Sequence, residues 1–149
     1  MKKQMFTLSL ASAFAGAALL GARAGAFLAP KDTWTLVGDS ITSTDTYRQI
    51  LQLALNHYHP GSGVKIANNG VWGQLLKETK DLDTTPQVVS IMIAMNSVIH
   101  REYGTKADFS KIVGEHVEGL RTKIRGYQKK GAKVILMTPT LTDEREGGF

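Results

Sequence analysis

Residues 34–42 read Trp-Thr-Leu-Val-Gly-Asp-Ser-Ile-Thr, WTLVGDSIT. A short β-prone run, Thr35 to Val37, passes through Gly38 straight into Asp39 and Ser40, residue types that favour helix starts. A strand that turns into a helix within three residues opens a β-α unit, and the chain repeats that pattern. Tyr47, Ile50, Leu51, Ala54 and Tyr58 recur every three or four residues and predict an amphipathic helix, broken by Pro60-Gly61 and Gly63. Val64 to Ala67 predicts a second strand, ended by Asn68-Asn69-Gly70, and Gln74 to Lys80 a shorter helix. Val88 to Ala94 (VVSIMIA) is almost continuously apolar, as in a strand covered on both faces. Residues 108–130 predict the clearest helix, with Phe109, Ile112, Val113, His116, Val117, Leu120, Ile124 and Tyr127 on one stripe and Gly131 at the stop position. Val134 to Met137 predicts the fourth strand, closed by Thr138-Pro139.

Strands alternating with helices imply an α/β domain, a flavodoxin-like three-layer sandwich around a parallel sheet. Right-handed crossovers put every strand-to-helix loop on one sheet edge, where ligands bind in such folds. Ser40, Gly70 to Gly73 and Asn96 fall in those loops. Ser40 by itself has a plain reading as a helix cap. A phosphate-binding loop would need a glycine-rich run or Gly-Lys-Ser/Thr, and neither is present. The Gly-x-Ser-x-Gly elbow is excluded too, since Ile41 and Thr42 follow Ser40.

The first 26 residues read as a separate segment. Lys2 and Lys3 precede an uncharged run from Met5 to Leu20, followed by Ala22-Arg23-Ala24 and Ala24-Gly25-Ala26. This is the pattern of a secretory signal peptide, which leaves residues 27–149 as one domain without a stable membrane span. Taking away Lys2, Lys3 and Arg23 lowers the net charge from +5 to +2. A nucleic-acid partner thereby loses its electrostatic support. The remaining basic cluster, Arg121, Lys123, Arg125, Lys129 and Lys130, reads as a solvated helix face. There are no cysteines, which excludes disulfides, thiol catalysis and cysteine-based metal sites.

Three stretches carry a resemblance. VGDSIT at 37–42, NNGVWG at 68–73 and IMIAMNSV at 91–98 resemble, in order, the first three sequence blocks of the SGNH (GDSL-type) hydrolases. The likeness extends over residues 33 to about 140. It implies the SGNH hydrolase fold, a serine esterase acting on acyl or acetyl esters of lipids or carbohydrates, and no metal or cofactor. Residue by residue, it implies that Ser40 is the nucleophile. The oxyanion hole would combine the Ser40 N–H, the Gly73 N–H and the Asn96 side chain, donors that stabilise developing negative charge without adding net charge.

The chain departs from that pattern in two places. Ala94-Met95-Asn96-Ser97 stands where the family has Gly-x-Asn-Asp, so Ser97 replaces a carboxylate expected to brace the neighbouring loop. No Asp-x-x-His occurs, although the family takes its base from such a block after the fourth strand. A serine hydroxyl without a base is a poor nucleophile. The expectation is therefore a domain incomplete at its C-terminus and inactive in this form. The alternatives are a catalytically dead glycan- or acyl-binding domain of the same fold, and an unrelated module holding a phosphate at Gly38-Asp39-Ser40. Of the four histidines, His57 and His59 fall at a helix end and His116 on the apolar stripe. His100 alone falls in a loop on the active edge.

Overall fold

The computed structural model describes residues 27–99 and 106–139. Four strands, β1 (Thr33–Gly38), β2 (Lys65–Gly70), β3 (Val88–Met92) and β4 (Lys133–Leu136), form one sheet in the order β2-β1-β3-β4. Every pairing is parallel. Three helices accompany them: α1 (Ser40–Ser43), α2 (Thr46–Tyr58) and α3 (Lys106–Lys129). The chain steps from β1 to β2 in one direction, then crosses back over β1 to β3 and on to β4 in the other. With right-handed crossovers, α2 and α3 must then lie on opposite faces.

The register levels the strand ends. Gly38 pairs with Gly70 on one side and with Met92 on the other, so β1, β2 and β3 end together. Their outgoing loops consequently emerge side by side.

The core follows strand alternation. Val89, Ile91 and Ile93 point to the α3 side and cluster with Val37, Leu76, Tyr127 and Ala132, while Leu82, Leu120, Ile124 and Val134 pack around them. Burying a side chain of this size stabilises the fold by about 1.5–3 kcal/mol. All five residues of β3 are buried, as expected for a strand covered on both faces. The edge strand β2 fully buries Ile66, with Asn68 and Gly70 buried in part. Gln52 of α2 caps that edge: its Oε1 accepts from Ile66 N at 2.9 Å and its Nε2 donates to the Val64 carbonyl at 3.1 Å.

Some local expectations give way to tertiary packing. Gln74 to Lys80 forms only a single 3-10 turn, Leu76–Glu78, because Leu76 plunges into the core and ends the regular spiral. The apolar stripe of α2 is displaced: Ile50 and Tyr58 are 60% and 74% exposed, and no residue of the helix is fully buried. On α3, Phe109 and Val117 are exposed, and Leu120, Ile124 and Tyr127 carry the packing. β3 ends at Met92, two residues short of expectation, and a π turn, Met95–Ile99, follows. Of the basic cluster, Lys123 is tied inward, donating to the Thr79 carbonyl and pairing with Asp81 at 3.5 Å. The leader segment, residues 1–26, lies outside the described residues, and none of the described helices is long and apolar enough to cross a membrane.

Candidate active site

The turn after β1 is built by three residues with separate duties. Gly38 is obligatory: a Cβ there would lie 2.0 Å from Thr42 Oγ1 and 2.5 Å from the Met92 carbonyl oxygen. Asp39, only 2% exposed, is the N-cap of α1, and its Oδ1 accepts from Ile41 N at 3.2 Å. The helix is thus capped by Asp39 and not by Ser40. The Ser40 carbonyl accepts from Thr44 N at 3.1 Å and from Ser43 Oγ at 2.8 Å, which pins its backbone. Its own Oγ makes no hydrogen bond among the described residues and is not fully buried. The buried Asp39 carboxylate also occupies the helix start, so an incoming phosphate would meet a like charge there.

Asn68 holds α1 in place. Its Nδ2 donates to the Thr42 carbonyl at 2.8 Å and to Asp45 Oδ1 at 2.7 Å, and its Oδ1 accepts from Gly70 N at 2.8 Å. Thr42 is completely buried and receives the Tyr47 hydroxyl at 3.1 Å. Asp45 sits in the left-handed region at φ 67° and is gripped by Arg48 through two hydrogen bonds of 2.5 and 2.6 Å. Arg48 first, then Asn68, hold the Asp45 carboxyl well below the usual carboxylate range. Gly70 completes the clamp, since a Cβ there would stand 2.3 Å from Ser43 N.

The loop after β2 is drawn against the end of β1 by a hydrogen bond from Val71 N to the Gly38 carbonyl at 3.1 Å. Gln74 N donates back to the Val71 carbonyl at 3.2 Å, closing a four-residue turn. Gly73 is its third residue, with φ 69°, a conformation that favours glycine. Open space surrounds that position, so backbone angle and not crowding selects glycine. The Gly73 N–H has no acceptor among the described residues.

Asn96 lies in the π turn after β3 and donates through Nδ2 to the Gln74 carbonyl at 3.3 Å. Its neighbour Ser97 accepts from Leu76 N at 2.9 Å. The hydroxyl of Ser97 thus braces the neighbouring loop, the task expected of the missing carboxylate. The structure therefore brings Ser40, Gly73 and Asn96 to one edge of the sheet, on three loops stitched to one another.

A base is what these residues lack. His57 and His59 fall at the far end of α2, roughly 17 Å of helix rise from Thr46. His116 is on α3, its Nδ1 buried without a hydrogen-bond partner. Burial pushes its imidazole below the ordinary histidine value, and the adjoining Ile93 backbone works more weakly the other way. His100 lies outside the described residues. Among the described residues, no group of three or more His, Asp or Glu side chains could hold a metal ion. A cavity of about 360 Å³ opens behind the second loop, between Leu75, Leu76 and Ser97 and the Ile112, His116 and Gly119 face of α3.

Sequence reading placed Ser40, Gly73 and Asn96 in the loops after β1, β2 and β3, where the structure has them. It missed Asn68, which it took for turn chemistry, and the Asp45–Arg48 pair. The only local signal was an Asx residue ahead of a glycine.

A level-ended parallel sheet flanked by helices, with a serine at the carboxyl end of its first strand, is a flavodoxin-like α/β fold. Solved structures with this fold include an acetylxylan esterase from Geobacillus stearothermophilus, with TM-score 0.63 and 22% identity over 76% of this chain and 62% of that chain. A second acetyl xylan esterase aligns with TM-score 0.53 and 24% identity, over 70% of this chain and 56% of the other. A gut microbial diltiazem-metabolizing enzyme aligns with TM-score 0.63 and 16% identity, over 73% of this chain and 27% of that one. The chain spans less than two thirds of the length of each. Catalytic mutants of the G. stearothermophilus enzyme, with a serine, an aspartate or a histidine changed to alanine, align equally well. No protein-family model and no curated protein matches the chain. At these identities the likeness establishes the fold.

Proposed function

We propose that residues 27–149 belong to an exported SGNH-type serine esterase that cleaves acyl or acetyl esters of carbohydrates or lipids. One observation carries the reading: Asp39 caps α1, leaving the Ser40 hydroxyl without a hydrogen bond among the described residues, at the edge where the three loops meet. The fold shared with acetylxylan esterases supports an ester as substrate.

In this mechanism Ser40 Oγ attacks the ester carbonyl carbon while a base takes its proton. The carbonyl oxygen becomes an oxyanion, received by the Ser40 and Gly73 N–H groups and by Asn96 Nδ2. Collapse expels the alcohol, which regains the proton, and leaves an acyl-serine. Water then repeats the sequence and releases the acid. Each oxyanion donor contributes about 2.7–4 kcal/mol of transition-state stabilisation in such sites. The Gln74 carbonyl holds one Asn96 amide proton and leaves the second for the oxyanion. The base has to come from an Asp-x-x-His segment, which this sequence does not contain.

The Ala94 and Ser97 departures favour one rival reading, a domain of the same fold that binds an ester or glycan without turning it over. Ser40→Ala separates the two. In a form supplied with an Asp-x-x-His segment, the esterase reading predicts loss of p-nitrophenyl acetate hydrolysis with an unchanged fold. Undiminished hydrolysis would remove Ser40 from the mechanism. Export is tested by intact mass of the protein recovered outside the producing cell: the expected start is Gly25 or Phe27, and a species retaining residues 1–22 would contradict it.

A further inference from the structure

Beside Gly73 stand the two large apolar side chains Val71 and Trp72, 50% and 74% exposed. The protein's other tryptophan, Trp34, is half-buried and its Nε1 donates to Ser90 Oγ at 2.6 Å. An indole left this open contributes little to folding, and exposed aromatics at a site edge mark ligand contact. The turn that carries it is immobilised at three points, by Val71 N to Gly38, by Gln74 N to Val71, and by Asn96 to Gln74. Only the indole's own two torsions would be fixed on binding, a small entropic cost for a large contact area.

Charge narrows the ligand. Residues 66–76, IANNGVWGQLL, contain no charged side chain, so the loop that carries the indole offers no ion of its own to a ligand. Exposed Asn69, three residues before Trp72 at the end of β2, carries an amide that can both donate and accept. A neutral molecule with one flat C–H face and a rim of hydroxyls fits this combination; an alkyl chain would leave the amide unused. Sugar rings have that shape.

We propose that Trp72 is a stacking platform for the sugar ring of a neutral oligosaccharide, placing a carbohydrate ester's carbonyl toward Ser40. The proposal rests on the esterase reading and deepens it by naming the sugar as the part recognised.

The test is a titration of the ¹⁵N-labelled chain with xylohexaose, following the two indole N–H resonances, which Trp72→Ala assigns. The expected result is a saturable shift of the Trp72 resonance with Trp34 unmoved. Trp72→Ala should weaken binding about tenfold, the scale of one aromatic contact, and Trp72→Phe should restore part of it. Ser40→Ala should bind as tightly as the parent. A Trp72 resonance unmoved at millimolar sugar, or one that answers only to phosphatidylcholine vesicles, overturns the platform. Platform failure with Ser40-dependent hydrolysis of p-nitrophenyl acetate would leave the esterase reading standing. Sugar binding at Trp72 without Ser40-dependent hydrolysis in a form supplied with an Asp-x-x-His segment would support the platform and remove the esterase reading.

Discussion

Asp39 has taken over the capping duty a serine often performs at a helix start, and the Ser40 hydroxyl makes no hydrogen bond among the described residues. Asp39→Ala should therefore cost about 0.5–2 kcal/mol, the worth of a cap, whereas Ser40→Ala should leave the melting temperature unchanged. Thermal denaturation of both variants checks the division of labour. In a form supplied with a base, Asn96→Ala should lower kcat by about 10²–10³, the loss of one oxyanion donor. His116 sets a separate signature. Its folded value lies below the ordinary 6.5, so the folded state prefers the neutral ring and the unfolded state binds the proton more readily. This contribution is fully present above the ordinary value and is lost as pH falls from there toward the lowered one. Melting temperature should thus fall between pH 7 and pH 5, and His116→Gln should flatten that slope. Asp45 acts in a different window, below the usual carboxylate range, where protonation would break its grip on Arg48.

Strand and helix order was legible because hydrophobic periodicity reports it directly: VVSIMIA has the length and continuity of a strand buried on both faces. The loop positions of Ser40, Gly73 and Asn96 were legible because each follows a predicted strand. What stayed hidden depends on contacts distant in sequence. The α2 stripe was misplaced because Gln52, a polar residue, docks on the β2 edge through both ends of its amide. Asn68 reads as a turn residue, yet it joins β2 to α1 across 26 residues. Asn68→Ala should strip hydrogen-bond partners from Thr42, Asp45 and Gly70 together. It should therefore destabilise by more than a single lost hydrogen bond, above about 1.5 kcal/mol in urea unfolding. Tyr127 predicts the opposite sign. Its hydroxyl is buried without a partner, and burial, then Asp81, push its ionisation upward. Tyr127→Phe should be neutral or stabilising by up to about 1–3 kcal/mol, the range for an unsatisfied polar group.

Among the described residues, one sheet edge is covered and the other has no neighbouring strand. Gln52 caps β2, whereas β4 presents Leu136 at 53% exposure, and Ile50 and Leu53 stand out from α2 at 60% and 68%. Apolar edges of this kind pair with other chains. The chain should self-associate with rising concentration, and Leu136→Lys should shift sedimentation velocity profiles toward monomer. The three loops are locked together by contacts within the chain, and no described histidine is hydrogen-bonded to Ser40. A remnant of binding and oxyanion stabilisation alone gives roughly 10³–10⁴ over water in serine proteases, far below an intact triad. The decisive measurement is p-nitrophenyl acetate turnover of residues 27–149, alone and joined to a C-terminal segment bearing Asp-x-x-His, each with and without the Ser40→Ala substitution. The account predicts measurable turnover, with an acetyl group trapped on Ser40 by mass spectrometry, only in the joined form that keeps Ser40. Equal turnover in the joined S40A protein, or acetyl trapped at another residue, would contradict it.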